Sequence, residues 1–155
     1  MLKTNGKVQS ALWQGEEFAE NYFLPESGVG RVAMLRPMRW DMFYDTPGQR
    51  IIRLIRKLCR IRRDREHIRN GQYYFFNDWN RYQSKGLLLF ARYTESAYTL
   101  IAINTTDFEQ TVPFWFPVGG DYIEEIEGGR LTGIAPLTET QITIPSNYGR
   151  IWSSA

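Results

Sequence analysis

Apolar residues recur at steps of three and four between positions 51 and 61, and this spacing predicts an amphipathic helix. The helix is expected to begin after Thr46, which suits the N-cap, with Pro47 in the first helical position and Gln49 completing a capping box. It is expected to end near Arg65. The pattern predicts that the apolar stripe is buried, and this stripe consists of Ile51, Leu54, Ile55, Leu58 and Ile61.

Beyond Gly71 the period changes to short apolar and aromatic runs that are separated by turn residues. The runs are QYYFFN, LLLFARY, YTLIAIN, TVPFWF, DYIEEI, QITI and GRIWSS. Several short strands without intervening helices predict a Greek-key-like antiparallel β-sandwich from about Gly71 to Ser153. Pro113 and Pro117 flank one of these runs, which predicts that this strand lies at an edge or ends there.

Residues 1–45 have a weaker pattern, with one short strand predicted at Ser10–Gln14 and a long irregular segment after it. The apolar run stops at Gly15, and two adjacent carboxylates, Glu16 and Glu17, follow. Two interpretations are open for these acids. They form a solvated turn, or they lie at a strand terminus of the kind where α/β barrels keep their active sites.

A chain of 155 residues with 43% hydrophobic and 15% aromatic residues is sufficient to fold around a core. It is too short for a complete barrel of eight strand-helix units, which needs about 250 residues. Cys59 is the only cysteine, which excludes an intrachain disulfide and a metal site built from cysteines. No apolar stretch reaches the roughly 18 residues of a membrane span, and the first residues lack the apolar segment of a signal peptide. We therefore expect a soluble cytoplasmic protein without a membrane partner.

The net charge is only +2, but one segment is strongly basic. Between Arg50 and Arg69 the sequence has nine Arg or Lys residues and only two acids, Asp64 and Glu66. Nucleic-acid binding by this helix through phosphate contacts is therefore one alternative function. Against it, the basic residues surround the helix on every side except the apolar stripe, and no recognised binding motif accompanies them. We expect no nucleic-acid partner.

The segments ALWQGEEF at residues 11–18, RPMRWD at 36–41 and LIRKLCRIRRDREHIRNG at 54–71 carry a family resemblance in their order and spacing. Together they resemble glycoside hydrolase family 13, the α-amylase-like enzymes. The first resembles the eighth barrel strand with its Gly-x-Glu signature, and the second is similar to an R-x-P-M-x-W-D segment, one residue shorter here. The third resembles the end of the last barrel helix, and the strand-rich remainder resembles the family's C-terminal β-sandwich.

This resemblance implies a mainly β fold in two parts. Residues 1–70 are expected to be a remnant of a (β/α)8 barrel ending in one long amphipathic helix, and residues 71–155 a C-terminal β-sandwich domain. Glu17 would be the signature acid that orients the site, and Arg36 and Trp40 would help to shape its substrate end. The substrate of the full-length relative would be an α-glucan such as starch or maltodextrin. We expect no cofactor and no metal ion.

The catalytic residues of that family have no counterpart in these segments. Retaining glycosidases need two carboxylates about 5 Å apart, and in this family they come from the fourth and fifth barrel strands, with a third acid in a His-Asp pair. The only histidine, His67, is followed by Ile68, and we expect it at the surface or as a helix cap. The resemblance thus implies that this chain is the C-terminal part of a glycoside hydrolase, and that this part contains none of the catalytic residues.

Two origins fit such a part: a piece cut from a longer protein, or a truncated reading frame beginning at Met1, which the first ten residues favour. Exposed surfaces of the barrel remnant would allow self-association. A non-catalytic carbohydrate-binding module is a further alternative, in which Trp79, Tyr82 or Trp115 stacks on glucose rings. We favour the opposing interpretation that these three aromatics lie in the core or at the joint with the helix, since large aromatics dominate such cores.

Overall fold

The computed structural model describes residues 15–21, 25–33 and 37–155, and the chain divides into two compact units, residues 1–60 and 61–155. The strand predicted at positions 10–14 lies outside the described residues. The first unit contains a single 3-10 turn, Glu16–Phe18, within its described part, and the short helices α1 (Val29–Val32) and α2 (Trp40–Tyr44). Helix α3 (Thr46–Asp64) begins in the first unit and ends in the second, where α4 (Glu66–Asn70) follows.

The long helix α3 begins at Thr46 and ends at Asp64, close to the predicted bounds. Its N-cap is Asp45, whose Oδ1 accepts a hydrogen bond from the Gly48 N–H at 2.6 Å. The prediction that Thr46 is the cap is therefore wrong by one residue. A carboxylate caps well because it accepts from an otherwise unpaired N–H and is favoured by the positive end of the helix dipole. Gly48 is required here, since a Cβ would lie 1.9 Å from the Met42 carbonyl oxygen.

The apolar stripe of α3 is less buried than its spacing predicts. Ile61 is buried as expected, and Ile52, which the predicted stripe did not include, is buried as well. Leu58 is 37% exposed, so its predicted burial is wrong. The other three members of the stripe, Ile51, Leu54 and Ile55, are half-buried.

Two arginines fix the junction between α3 and α4. The Arg69 guanidinium donates hydrogen bonds to the carbonyl oxygens of Arg62, at 2.6 Å, and of Arg63, and so caps the end of α3. Arg65 pairs with Glu125 at 2.8 Å and donates to the Ser154 carbonyl oxygen at 3.4 Å. Part of the basic segment is thus explained by the anchoring of the helix end to the sheet.

Eight strands follow, and all of their pairings are antiparallel. They are β1 (Gln72–Phe75), β2 (Leu87–Tyr93), β3 (Tyr98–Asn104), β4 (Gln110–Trp115), β5 (Gly120–Glu124), β6 (Arg130–Ile134), β7 (Glu139–Ile144) and β8 (Tyr148–Ser154). Each of the seven predicted runs contains a strand, and β6 is an additional one. A large sheet has the order β1-β2-β3-β8-β5-β6, and β4 pairs with β7 in a small one. Neighbours that are not consecutive, such as β3 and β8, give Greek-key-like connectivity, so the predicted fold class is confirmed.

The core of the second unit lies between these two sheets. Alternate side chains point inward, as expected for strands with one solvated face. The large sheet contributes Leu87, Leu89, Ala91, Tyr98, Leu100, Ala102, Tyr122 and Trp152, and the small sheet with its flanking residue contributes Val112, Phe114, Phe116, Ile142 and Ile144. Burial of each large apolar side chain stabilises the fold by about 1.5–3 kcal/mol.

Pro113 lies within β4, opposite Gln141 of β7. Because the small sheet has two strands, β4 is an edge strand, the position in which a proline is tolerated. The edge position predicted from Pro113 and Pro117 is confirmed. Within the described ranges 15–21, 25–33 and 37–155, none of the helices has the length and apolar character that a membrane crossing requires.

Glu124 is a buried carboxylate at the end of β5 whose oxygens have several donors. They accept hydrogen bonds from the backbone N–H groups of Ile126 at 3.0 Å, Glu127 at 2.6 Å and Ile151 at 3.1 Å. The Arg150 guanidinium also donates to Glu124, at 3.0 Å. This set of bonds joins β5, the turn after it and β8, and it satisfies a charge that burial would otherwise make costly.

Candidate functional site

The acids that end the apolar run of the sequence lie in a tight turn. Gly15 has a positive φ of 87°, and its carbonyl oxygen accepts hydrogen bonds from the N–H groups of Phe18 and Glu20, both at 3.0 Å. Glu16 is exposed and Glu17 is half-buried in the 3-10 turn between them. The structure therefore places the predicted signature acid on an irregular turn of the first unit.

Phe18 brings this turn to the start of α2. Its ring lies 6.0 Å from the ring of Trp40 in a stacked arrangement and 5.7 Å from that of Phe43 in an edge contact. Phe18, the residue after Glu17 in the chain, thus contacts Trp40, another of the three predicted substrate-binding residues. Trp40 is 59% exposed, so most of its indole is open to contact. Arg36 lies outside the described residues, and its role at the substrate end of the site stays a prediction.

Arg39 and Asp41 flank Trp40 and form an ion pair with each other. Arg39 Nε and Nη2 donate to the two carboxylate oxygens of Asp41 at 2.9 and 2.6 Å, a fork geometry that fixes both side chains. The hydrogen bond from Arg39 holds the pKa of Asp41 below its usual value. Asp41 therefore stays ionised and does not supply a proton to a neighbour.

His67 is buried, so the prediction of a surface or capping side chain is wrong. Its Nε2 lies 2.6 Å from the Thr99 Oγ1, which in turn lies 2.8 Å from the Ser153 Oγ. Burial lowers the pKa of His67, and the cations of Arg65 and Arg92 lower it further, so the imidazole is neutral at pH 7.

This His-Thr-Ser series is structural, not catalytic. A nucleophilic serine needs access to its substrate, and Ser153 and Thr99 are both fully buried. The series instead satisfies three buried polar groups that lie on α4, β3 and β8. Within the part of the chain that the structure describes, no cluster of His, Cys, Asp and Glu is arranged to bind a metal ion.

The second candidate region is a cleft of about 530 Å³ on the sandwich, which we call the aromatic cleft. Its lining residues are Tyr74, Phe76, Asn77, Asp78, Trp79, Arg81, Tyr82, Phe114 and Trp115. Trp79 is 68% exposed in the connection between β1 and β2, so its predicted interior position is wrong. Tyr82 is buried, as predicted, and its hydroxyl donates to the Pro113 carbonyl oxygen at 3.1 Å. Trp115 is half-buried, with the Arg81 guanidinium carbon 4.4 Å from its ring centroid.

Asp78 orders the turn that carries Trp79. Its Oδ1 accepts the backbone N–H of Arg81 at 2.9 Å, and its Oδ2 lies 3.6 Å from the Arg81 Nε. The Asp78 carbonyl oxygen accepts the N–H groups of Tyr82 and Gln83 at 3.0 and 3.1 Å. These bonds hold Trp79, Asp78 and Arg81 in fixed positions along one side of the cleft.

The floor of the aromatic cleft is continuous with the core. Tyr74 lies 5.0 Å from Phe76, Phe76 lies 5.0 Å from Phe114, and Phe114 lies 4.8 Å from Phe116, all in edge-to-face contacts between ring centroids. Phe114 and Phe116 are fully buried, whereas Tyr74 is exposed. Packed rings of this kind give a floor that does not need to be ordered when a ligand binds.

A second cleft of about 490 Å³ adjoins the first, because Tyr74, Phe76 and Trp115 border both. Its remaining lining is mostly apolar and consists of Ala91, Tyr93, Thr94, Tyr98, Pro117, Val118 and Leu137. Burial raises the pKa of Tyr98 well above its usual value, so the phenol stays protonated. The two clefts are therefore neighbours, with Trp115 in a wall that both share.

Comparison with known proteins bears on the fold. No protein-family model matches the sequence, and no curated protein matches it. Among solved structures, an α-amylase of Anoxybacillus matches with 22% identity and a TM-score of 0.56, over 68% of this chain and 22% of the other. The α-amylase of Geobacillus thermoleovorans in complex with acarbose matches with 16% identity and a TM-score of 0.55, over 70% of this chain and 26% of the other. AmyP in complex with maltose matches with 12% identity and a TM-score of 0.58, over 70% and 21%.

The chain has the fold of part of an α-amylase. The antiparallel sandwich that follows one long helix matches the C-terminal β-sandwich domain of the α-amylase family, glycoside hydrolase family 13. The chain spans between about a fifth and a quarter of the length of these three proteins. The family named from the sequence motifs is thus the one whose structures resemble this chain.

Proposed function

We propose that this chain is the non-catalytic C-terminal part of an α-amylase-like glycoside hydrolase, and that the intact enzyme acts on α-glucans such as starch or maltodextrin. The observation that carries the proposal is the shared fold, with TM-scores of 0.55 to 0.58 over 68–70% of the chain. The order of the three motifs along the sequence supports it independently. Two of these structures hold acarbose or maltose.

The intact enzyme would cleave α-glucosidic bonds through a covalent glycosyl intermediate, which requires a nucleophile and an acid/base carboxyl about 5 Å apart. We propose that the acids of this chain do not form such a catalytic pair. Glu16 and Glu17 are successive residues of a turn, without a barrel among the described residues to enclose a sugar between them. We propose that the chain supports the enzyme structurally, with the end of α3 anchored to the sandwich through Arg65.

Glu17 and Trp40 are proposed to contact the substrate end of the site in the intact enzyme, with Arg36 completing the group. The contact of Phe18 with Trp40 supports this proposal, because it joins the turn that carries Glu17 to an exposed indole. A carboxylate accepts hydrogen bonds from sugar hydroxyls, and an indole face packs on the apolar face of a sugar ring. These residues would bind and orient the substrate, not react with it.

The first test is product analysis. The purified chain is incubated with maltoheptaose, and shorter and longer oligosaccharides are separated by chromatography, with the Anoxybacillus α-amylase as the active reference. We expect no product from the chain alone, because the catalytic carboxylates are proposed to lie in the rest of the intact enzyme. Turnover that persists in a repurified sample would refute the proposed non-catalytic role.

The second test asks whether the sandwich serves an α-amylase. In a chimera, the part of the Anoxybacillus α-amylase that matches this chain is replaced by the corresponding part of this chain. We expect the chimera to be soluble and to hydrolyse maltoheptaose, whereas the enzyme truncated at the same point should lose soluble activity. The same chimera carrying Glu124→Ala serves as a matched control that weakens the sandwich. A wild-type chimera that behaves like the truncated enzyme would contradict the proposal.

A further inference from the structure

We propose that the aromatic cleft is a saccharide-binding site of the sandwich, and that it holds an α-glucan chain against Trp79 and Trp115. The chemical class of the chain rests on the proposed function; the site itself rests on the geometry of the cleft.

The cleft combines the two kinds of surface that a sugar requires. A pyranose ring has apolar C–H faces and a rim of hydroxyls that both donate and accept hydrogen bonds. Trp79 offers an indole that is 68% exposed, and Tyr74 offers a second exposed ring. Asp78 supplies acceptor oxygens, and Arg81 supplies planar donors. Large aromatic surfaces with a few fixed polar groups are the usual lining of small-molecule sites.

The charge of the cleft favours a neutral ligand. Asp78 and Arg81 lie 3.6 Å apart and offset each other, and the remaining lining residues are uncharged. A nucleic-acid strand also stacks on aromatic rings, but its phosphates need an excess of cations, which this cleft lacks. A cationic ligand meets a similar objection, because Arg81 already lies over the Trp115 ring. An uncharged polyol fits both the rings and the balanced charge.

The size of the two neighbouring clefts favours an oligosaccharide over a single sugar. The aromatic cleft, with about 530 Å³, falls in the range of about 300–1,000 Å³ that is typical of ligand sites. The second cleft, of about 490 Å³, shares Tyr74, Phe76 and Trp115 with it. We infer that a ligand with repeated rings contacts Trp79 and Trp115 together, whereas one glucose unit would occupy only a fraction of the aromatic cleft.

The site is preorganised on the protein side. The turn that carries Trp79 is fixed by the hydrogen bonds of Asp78, and the floor is fixed by packing of Phe76 on the buried Phe114. Binding therefore does not need to order the backbone, which would otherwise reduce affinity. The exposed Trp79 ring is the contact that a single substitution removes with little effect on the core.

The experiment is isothermal titration calorimetry of the full chain with maltoheptaose, with the β-linked cellohexaose as a comparison ligand. We expect saturable binding of maltoheptaose that is weakened about tenfold or more by Trp79→Ala, because a stacking contact of this kind changes affinity by about that factor. Trp79→Tyr should restore part of the affinity. Phe108→Ala is the matched control, because Phe108 is 63% exposed and does not line either cleft.

The possible outcomes distinguish a failure of the saccharide-site proposal from a failure of the proposed function, on which the ligand class rests. Maltoheptaose binding that is equal in Trp79→Ala and wild type would overturn the cleft and leave the proposed function standing. The absence of saturable binding at concentrations above about 1 mM would overturn the cleft as well. Trp79-dependent binding that prefers cellohexaose would uphold a saccharide site but contradict the α-glucan class, and with it the proposed function. Loss of binding in Phe108→Ala equal to that in Trp79→Ala would refute the assignment to this cleft.

Discussion

Replacement of Glu124 by Ala should lower the free energy of unfolding of the sandwich by about 3–5 kcal/mol. The substitution removes the acceptor of three backbone N–H groups and of the Arg150 guanidinium. Breaking a buried ion pair by removal of one partner typically costs this amount, because the other partner keeps its desolvation penalty. The four bonds are not additive, since the turn at Ile126 and Glu127 can move towards water after the change.

The expected loss is large relative to the total free energy of unfolding of the domain. Single domains have unfolding free energies of about 5–15 kcal/mol, so the variant would lose a substantial share of its stability. Urea denaturation followed by tryptophan fluorescence measures the change, with circular dichroism as a second probe of the same transition. For an m-value of about 2 kcal/mol/M, the midpoint should fall by about 1.5–2.5 M urea.

Two further variants serve as controls for Glu124→Ala. Glu109→Ala removes an exposed carboxylate of the same size and should change the unfolding free energy by less than about 0.5 kcal/mol. Glu124→Gln keeps the shape and part of the hydrogen bonding, and should lose about 1–3 kcal/mol. If Glu124→Ala cost less than about 1 kcal/mol, the buried carboxylate could not be the joint between β5 and β8 that its contacts indicate.

Two other predictions concern the helices. Ile52→Ala should lower the free energy of unfolding by about 2–5 kcal/mol because Ile52 is buried. Leu58→Ala should lower it by less than about 1 kcal/mol because Leu58 is 37% exposed. Equal losses of stability in thermal unfolding would contradict this difference. The lowered pKa of His67 means that the unfolded chain binds a proton more readily than the folded one, so stability is fully present above about pH 6.5 and declines as the pH falls below it. Thermal melts from pH 8 to pH 5 should show this decline in the wild type and a flatter profile in His67→Gln, and identical profiles would refute it.

The strands were predictable where their apolar residues alternate with polar ones. β2 and β3 have the bounds of their predicted runs, because Leu87, Leu89 and Ala91 face the core in turn. β6 was missed because Arg130–Ile134 is an edge strand that contains Gly133 and has no fully buried residue. Its place in the sheet is set by pairing with β5, which leaves no periodic trace in the sequence.

Tertiary contacts explain the remaining differences. His67 is buried because Thr99 and Ser153, from distant parts of the sequence, supply its polar environment. The turn around Trp79 offered a usable signal, since Asn77, Asp78, Asn80 and Arg81 flank it with polar groups and indicate an exposed ring. The joining of this ring with Trp115 into one cleft could not be predicted, because it depends on how β4 packs beside the connection between β1 and β2.

The position of β8 has a consequence for how the sandwich is made. Residues 148–154 pair with β3 on one side and with β5 on the other, in the interior of the large sheet. During synthesis on a ribosome, the other strands of the large sheet emerge before β8, and the sheet cannot be completed until β8 is available for pairing. Contacts between segments so far apart in sequence slow folding and expose unpaired strand edges meanwhile. Nascent chains of this protein are therefore expected to need protection from aggregation until residue 154 has emerged.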